Sequence, residues 1–424
     1  MAGATISDLN GMYKEVYGEL QKAVPEAGIL QRLVPWSRSE RIGDSFHEPV
    51  ILTNEHGYSY GGTAGDAFTL EDPVTMASKD AVIGAYHYCM TSSISLPAAS
   101  RAMSAGKAAF ANVVTVLSQN AAESAGKRLE ISLHYGLSGI GDVPDVGATV
   151  EVTSTTADLV FSAATWAPGI WCGAEGAKVN FYDLDNDALI SSGADSIFVV
   201  TQVTNSTRTV KFTGTATGID ALDVAAQAGG VRCYFNGSKT NDMAGLQTIF
   251  SNTGSLFGID AAAYGMWKGN TFDAAGEISM AKLETYVGNL VGRGLNEDVT
   301  VELNPLAWVS LNNEYSAGRM VDSSYKSRKG ENGVAEIEFY GQNGTISVVS
   351  NPIVKGGHAF IFPKGRLNRV GSAENDNNLP TQDKNPFYPL ASQAGFGFRY
   401  FSDQAIYSRK PASCAFVSGI TLPS

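Results

Sequence analysis

Gly57-Tyr58-Ser59-Tyr60-Gly61, with His56 beside it, has the G-x-S-x-G spacing that lifts a nucleophilic serine onto a sharp turn in hydrolases. That turn needs a strand before the serine and a helix after it. Here the next residues read GTAGDAFTL, which cannot start a helix, and no Asp–His arrangement completes a triad. The segment reads as a loop tip. Asp183, Asp185 and Asp187 have the alternate spacing of the first half of a calcium loop. Ala188 stands where the loop needs glycine and Ala194 where it needs the closing glutamate, so a turn between two strands explains them better. His87 and Cys89 project from one face of a predicted strand. With five histidines in the chain, they read as a packed core pair and not as metal ligands. Lys326, Arg328 and Lys329, with Arg319 nearby, read as a solvated loop in preference to an inter-subunit charge contact. No phosphate-binding glycine loop is present. These residues assemble no nucleophile, base and orienting group. The expectation is a non-enzyme with no catalytic, cofactor-binding or metal site.

The elements around these residues say more than the residues do. Phe46–Ser95 reads as a long β-rich hairpin folded back at a glycine-rich tip, His56–Gly65, with apolar residues out to the tip. Its own domain can hardly cover an arm that long, and exposed strand edges and apolar arms seek partners. The arm leads into a predicted helix at Pro97–Tyr135, striped by Met103, Phe110, Val114, Leu117 and Ala121. At 1.5 Å per residue it spans roughly 50 Å, a spine more than a core helix. Ahead of the arm, Leu9, Tyr13, Val16, Tyr17, Leu20 and Val24 recur at helical steps.

After the spine the texture changes. Short Val/Thr/Phe runs separated by Gly, Asn, Asp and Ser fill about Val143–Thr240, which reads as a small all-β sandwich or barrel inserted into the chain. From Met243 the pattern is mixed. Ser279–Val291 is a predicted helix, Val299–Leu303 a strand, and Asn304-Pro305 the cap and first position of a helix to Tyr315. Ala335–Tyr340 and Thr345–Val349 form a hairpin around Asn343-Gly344, and Gly357–Phe362 is a further strand. Gly371–Asn385 reads as a polar loop and Gly395–Leu422 as returning strands.

Composition limits the function classes. The chain of 424 residues is 44% hydrophobic and 17% charged, so it is globular and can bury two or three cores. A net charge of −12 opposes a nucleic-acid reader, though not a container whose wall must not bind its DNA cargo. The scattered Cys89, Cys172, Cys233 and Cys414 read as reduced, buried thiols. No secretory signal or membrane-spanning run is legible, so no membrane partner is expected.

In their order, these parts resemble the major capsid proteins of tailed double-stranded DNA bacteriophages, the Hong Kong 97-like shell fold. VELNPLAWVSL (Val301–Leu311) is similar to that family's strand, Asn-Pro turn and helix. GTISVVSNPIVKGGHAFIFPKG (Gly344–Gly365) is similar to its axial strand pair, and FRYFSDQAIYSRKPASCAFVSG (Phe398–Gly419) to its closing strands. The resemblance implies an α+β fold in five parts: an N-terminal arm at 1–45, an extended hairpin loop at 46–95, a peripheral domain with the spine helix at 96–141 and 371–424, an inserted all-β domain at 142–240, and an axial domain at 241–370. It further implies a structural subunit that self-assembles through hexamers and pentamers into an icosahedral shell around the phage genome. Scaffolding, portal and decoration partners would be separate proteins. Some relatives weld subunits through a lysine on the hairpin loop. Between Arg41 and Lys79 this chain has none, so covalent cross-linking is not expected. A ligand- or receptor-binding module carried by the inserted domain is the alternative.

Overall fold

The computed structural model describes residues 28–34, 36–38, 45–63, 65, 67–97, 100, 107–145, 147–320, 336–342, 344–376, 387–391 and 393–423. The expected helical arm before residue 28 and the basic cluster Lys326–Lys329 lie outside them, and the Arg319 side chain is likewise not described.

Ser45–Ile51 and Ser78–Gly84 form the expected hairpin, antiparallel, with Ser45 opposite Gly84 and Ile51 opposite Ser78. The hairpin is shorter than its sequence suggested. At Gly84 the chain leaves it, and Tyr86–Ser95 joins a different sheet. The physical reason lies in Gly395–Ser408, whose long edge offers Tyr86–Ser95 ten paired positions, Gln404 opposite Tyr86 through Gly395 opposite Ser95. This peripheral sheet also holds Leu367–Asp376, Phe387–Pro389 and, parallel at its margin, Trp36–Arg38. The expected polar loop from Gly371 is thus strand as far as Asp376.

Lys107–Tyr135 forms one helix of 29 residues, about 43 Å long. The side chains expected in its first apolar turns lie outside the described ones. From Ala121 onward, Ala125, Leu129 and Leu133 face inward.

The block after the spine is a single seven-stranded sheet and not an all-β sandwich or barrel. Its order is Gly141–Val143, Val231–Phe235, Lys178–Asp183, Phe198–Thr204, Thr209–Thr213, Thr156–Val160, Glu151–Thr153. A 13-residue helix, Ala216–Ala228, covers it with Ile219, Leu222 and Ala226. Thr215 caps that helix by accepting from Gly218 N. One helix packed on one face does the work that a second sheet would do in a sandwich. Phe161, Trp171, Phe181, Phe198 and Phe212 fill this core, which runs without a break into Leu129, Leu133 and Tyr135 of the spine.

The axial sheet has six strands in the order Asn270–Gly276, Ala415–Ile420, Ala359–Pro363, Val299–Leu303, Gly344–Ser350, Glu336–Gly341. Val299–Leu303 is buried along its whole length, as a strand covered on both faces must be. Met280–Gly292 packs on the sheet through Leu283, Val287 and Leu290, capped by Ser279. Asn304 caps Pro305–Met320, accepting from Leu306 N and donating to the Val354 carbonyl. The last strand corrects an expectation. Ala415–Ile420 returns to the axial sheet and not to the peripheral one: it pairs parallel with Asn270–Gly276 and antiparallel with Ala359–Pro363, where its apolar Ala415, Phe416 and Val417 are buried.

Candidate functional site

The root of the hairpin is anchored to its own chain. Tyr407 Oη donates to Glu48 at 2.9 Å, Arg409 Nε pairs with the same carboxylate at 3.0 Å, and Val82 N donates to the Phe257 carbonyl. Ala81 and Ile83 are buried there. Beyond Leu52 the arm's hydrogen bonds, among the described residues, are to itself. His56 and Val74 exchange both backbone hydrogen bonds, and Ser59 Oγ accepts from Glu71 N at 2.7 Å. Gly61 lets the Phe68 ring lie against its backbone, where a Cβ would sit 2.4 Å from the ring. The arm is therefore ordered and uncovered: Tyr58, Tyr60, Phe68, Leu70, Val74 and Met76 are exposed, Tyr60 to 91%. Large apolar side chains exposed in such number on one loop are unusual for a surface that stays in water.

Behind the root lies a buried polar junction. Glu130 on the spine helix accepts from Leu30 N at 2.6 Å and Gln31 N at 3.1 Å, and Asn351 Nδ2 donates to it at 3.3 Å. One helical turn on, His134 Nδ1 donates to the Glu130 carbonyl, and its Nε2 lies 2.7 Å from Glu302 Oε2. A proton sits between that nitrogen and oxygen whichever partner holds it. Burial opposes charge on His134, but Glu302 and Glu130 outweigh it and raise its pKa. Burial also raises that of Glu302. Lys355 is fully buried, donates to the Gly139 carbonyl and lies 4.2 Å over the Tyr135 ring. Burial pulls its pKa down to about 8. This junction is sealed from substrate. It ties the segment before the hairpin, the spine and the axial sheet to one another.

The residues singled out in the sequence do not converge. Gly57–Gly61 lies in the exposed arm with neither the strand nor the helix that the nucleophile turn requires. Asp183 accepts from the backbone of Asp185 and Asn186 in a tight turn, and Asp187 pairs with Lys239 at 2.5 Å. His87 and Cys89 do share a face of Tyr86–Ser95, but it is the exposed face. They are not a packed core pair, since His87 is solvated, pairs with Asp403 at 3.1 Å and stacks on Phe401. The cysteines likewise divide: Cys233 and Cys414 are buried, Cys172 partly so and Cys89 exposed. The described residues include no cluster of metal-ligating side chains and no helix long and apolar enough to cross a membrane. Sequence reasoning missed the Glu130–His134–Glu302 junction. Its one signal was a pair of ionisable residues, Glu130 and His134, one helical turn apart and flanking Ile131 and Leu133.

No protein-family profile matches the chain, and no curated protein matches it. Solved structures do. The chain is similar to the capsid protein of cyanophage A-1(L), with a TM-score of 0.57 at 8% identity over 96% of this chain and 97% of that one. Weaker likenesses are to the capsids of cyanophage P-SCSP1u (TM-score 0.46, 10% identity, 98% and 95% covered) and of a native GTA particle (TM-score 0.48, 9% identity, 99% and 100% covered). Of these three, the first alone exceeds a TM-score of 0.5. The likeness extends over nearly the whole of both chains, and the fold is the α+β, Hong Kong 97-like capsid fold.

Proposed function

We propose that this chain is the structural subunit of an icosahedral shell, assembling with itself through hexamers and pentamers to enclose a phage genome. One observation carries the reading: a capsid fold presents an ordered, apolar arm that its own chain leaves bare. Permanent assemblies bury roughly 2,000–5,000 Å² per interface, which an arm laid over a neighbour helps to supply. The acidic balance of −12 leaves the shell wall non-adhesive towards the double-stranded DNA it contains, which is held without sequence-specific contact. The subunit would reside in the virion shell, after assembly in the host cytoplasm. It would work with separate scaffolding, portal and decoration proteins.

The chain acts by packing and not by catalysis. The ligand-binding alternative draws no support from the fold, since the core of residues 142–240 is continuous with the spine and not closed on itself. Electron microscopy of the purified protein tests the proposal. Rings, tubes or closed particles are expected. A compact monomer at high concentration, with residues 57–76 protected from solvent, overturns it.

A further inference from the structure

A recess of about 570 Å³ opens at the root of the hairpin, between residues 50–56 and the segments that carry Arg366, Arg409 and Lys410. These three cations and the exposed His56 line it, and among the described residues no carboxylate does. The chain carries 42 acidic residues and 30 lysines and arginines, so a wall of this sign departs from its own composition. The backbone builds it. Arg409 N donates to the Arg366 carbonyl at 3.1 Å, which starts both side chains from one place, and Lys410 follows directly.

Counter-charge meets only part of this cluster. Glu297 pairs with Arg366, and Glu48 pairs with Arg409 at 3.0 Å. Lys410 Nζ donates to the Gly294 carbonyl at 2.7 Å, and Arg293 next to that glycine donates to the Gly265 carbonyl at 2.5 Å. Arg293, Arg366, Arg409 and Lys410 thus share two carboxylates. A guanidinium carries five donors and an ammonium three, more than these partners take up. A concave wall of one sign concentrates anions. Its volume is that of a small-molecule site, whereas a duplex backbone asks for an extended basic stripe. We propose that the recess binds a small, multiply charged phosphate anion, of the inorganic phosphate or pyrophosphate class, on Lys410, Arg366 and Arg409. Asn54 and His56 offer N–H donors from the opposite wall. One wall is hairpin and the other is body, so the bound anion fastens the hairpin at one angle. The inference goes beyond the shell reading and does not depend on it.

Titration calorimetry of the full chain with pyrophosphate, at ionic strength held constant with sodium chloride, tests this. Two variants accompany it. Lys410→Gln removes a lining charge, and Asn54→Asp sets a carboxylate at an exposed lining position. Melting curves without the anion confirm that each folds, and should one fail the other decides. One pyrophosphate per chain is expected, bound about tenfold more weakly by either variant. Amide exchange at Leu52 and His56 should slow on binding, because both lie on the hairpin wall. No binding, or equal binding by the unaltered chain and both variants, overturns the proposal. A short DNA duplex that binds with the same dependence on Lys410 while pyrophosphate does not also overturns it, since the ligand is then a nucleic-acid backbone. None of these outcomes touches the shell reading, which particle formation tests.

Discussion

His134 Nε2 and Glu302 Oε2 lie 2.7 Å apart, 168 residues apart in sequence, and neither side chain reaches solvent. The pair fastens the spine helix to the central strand of the axial sheet. The backbone carbonyl of Glu130 completes the histidine, and the carboxylate of the same residue holds the segment that leads to the hairpin. A device meant to transmit the position of one domain to another would be built at such a joint.

The joint gives the protein a pH dependence of definite sign. For His134 burial opposes charge, while Glu302 and Glu130 raise the pKa above the ordinary 6.5; for Glu302 burial raises it above 4.5. Both groups therefore bind protons more tightly in the folded state. Their stabilisation is complete below the unfolded values and is lost as pH rises through the raised folded ones. The difference in unfolding free energy between the unaltered chain and His134→Gln should shrink as pH rises above the ordinary histidine value, read from denaturant midpoints at fixed ionic strength. A difference that widens with pH would contradict the assignment.

Glu130→Ala removes the acceptor for two backbone amides and one side-chain amide. A loss of about 3 kcal/mol is expected, because buried donors are left unpaired. Hydrogen exchange localises the effect: the Leu30 and Gln31 amides should exchange far faster, while those of Val299–Leu303 change only with global stability.

His358 is buried beside Phe416, ring centres 4.8 Å apart, and its Nδ1 has no partner among the described residues. Burial, with the charges of Lys355 and Arg232, lowers its pKa well below 6.5. Stability contributed by the neutral ring is present above that ordinary value and is lost as pH falls through the depressed folded one. His358→Phe should stabilise the fold by about 1 kcal/mol at neutral pH and by more in acid, measured by thermal melts across the range.

Tyr60→Ser combined with Leu70→Ser touches only exposed arm positions. Monomer stability should change by less than about 0.5 kcal/mol, since nothing packed is disturbed. Sedimentation should nevertheless show assembly strongly weakened. Assembly at the normal concentration would mean the bare arm is not where copies meet.

Gly169 N donates to the Pro352 carbonyl at 3.0 Å, and a Cβ on Gly169 would sit 2.5 Å from that oxygen. Gly169→Ala must push the inserted sheet away from the axial loop, at about 1–3 kcal/mol. A drop of several degrees in the melting temperature checks this.

Much of the architecture was written locally. The alternation of Val299–Leu303, the Asn304-Pro305 cap and the Ser279 cap are properties of a few adjacent residues, and these elements stand where their patterns place them. The helix ATGIDALDVAAQA at Ala216–Ala228 was hidden among strand signals because its alanines carry little contrast in a β-rich block. The fate of Tyr86–Ser95 and Ala415–Ile420 could not be read locally. A strand pattern states that a segment will pair but not with which edge, and their partners lie far off in sequence, Gln404 opposite Tyr86 and Asn270 opposite Ala415.

By itself the sequence determined that a long apolar hairpin would outrun the cover of its own domain, because apolar residues continue to its glycine-rich tip. It also determined the order of long helix, strand-rich block and mixed block, because periodicity is a short-range property. Only the tertiary structure decided that Glu130, His134 and Glu302 share one sealed joint, and that Arg128 Nη1 is sealed with no hydrogen-bond partner among the described residues. Burial and pairing of charge depend on what folds over a residue, and the neighbours in space were not its neighbours in the chain.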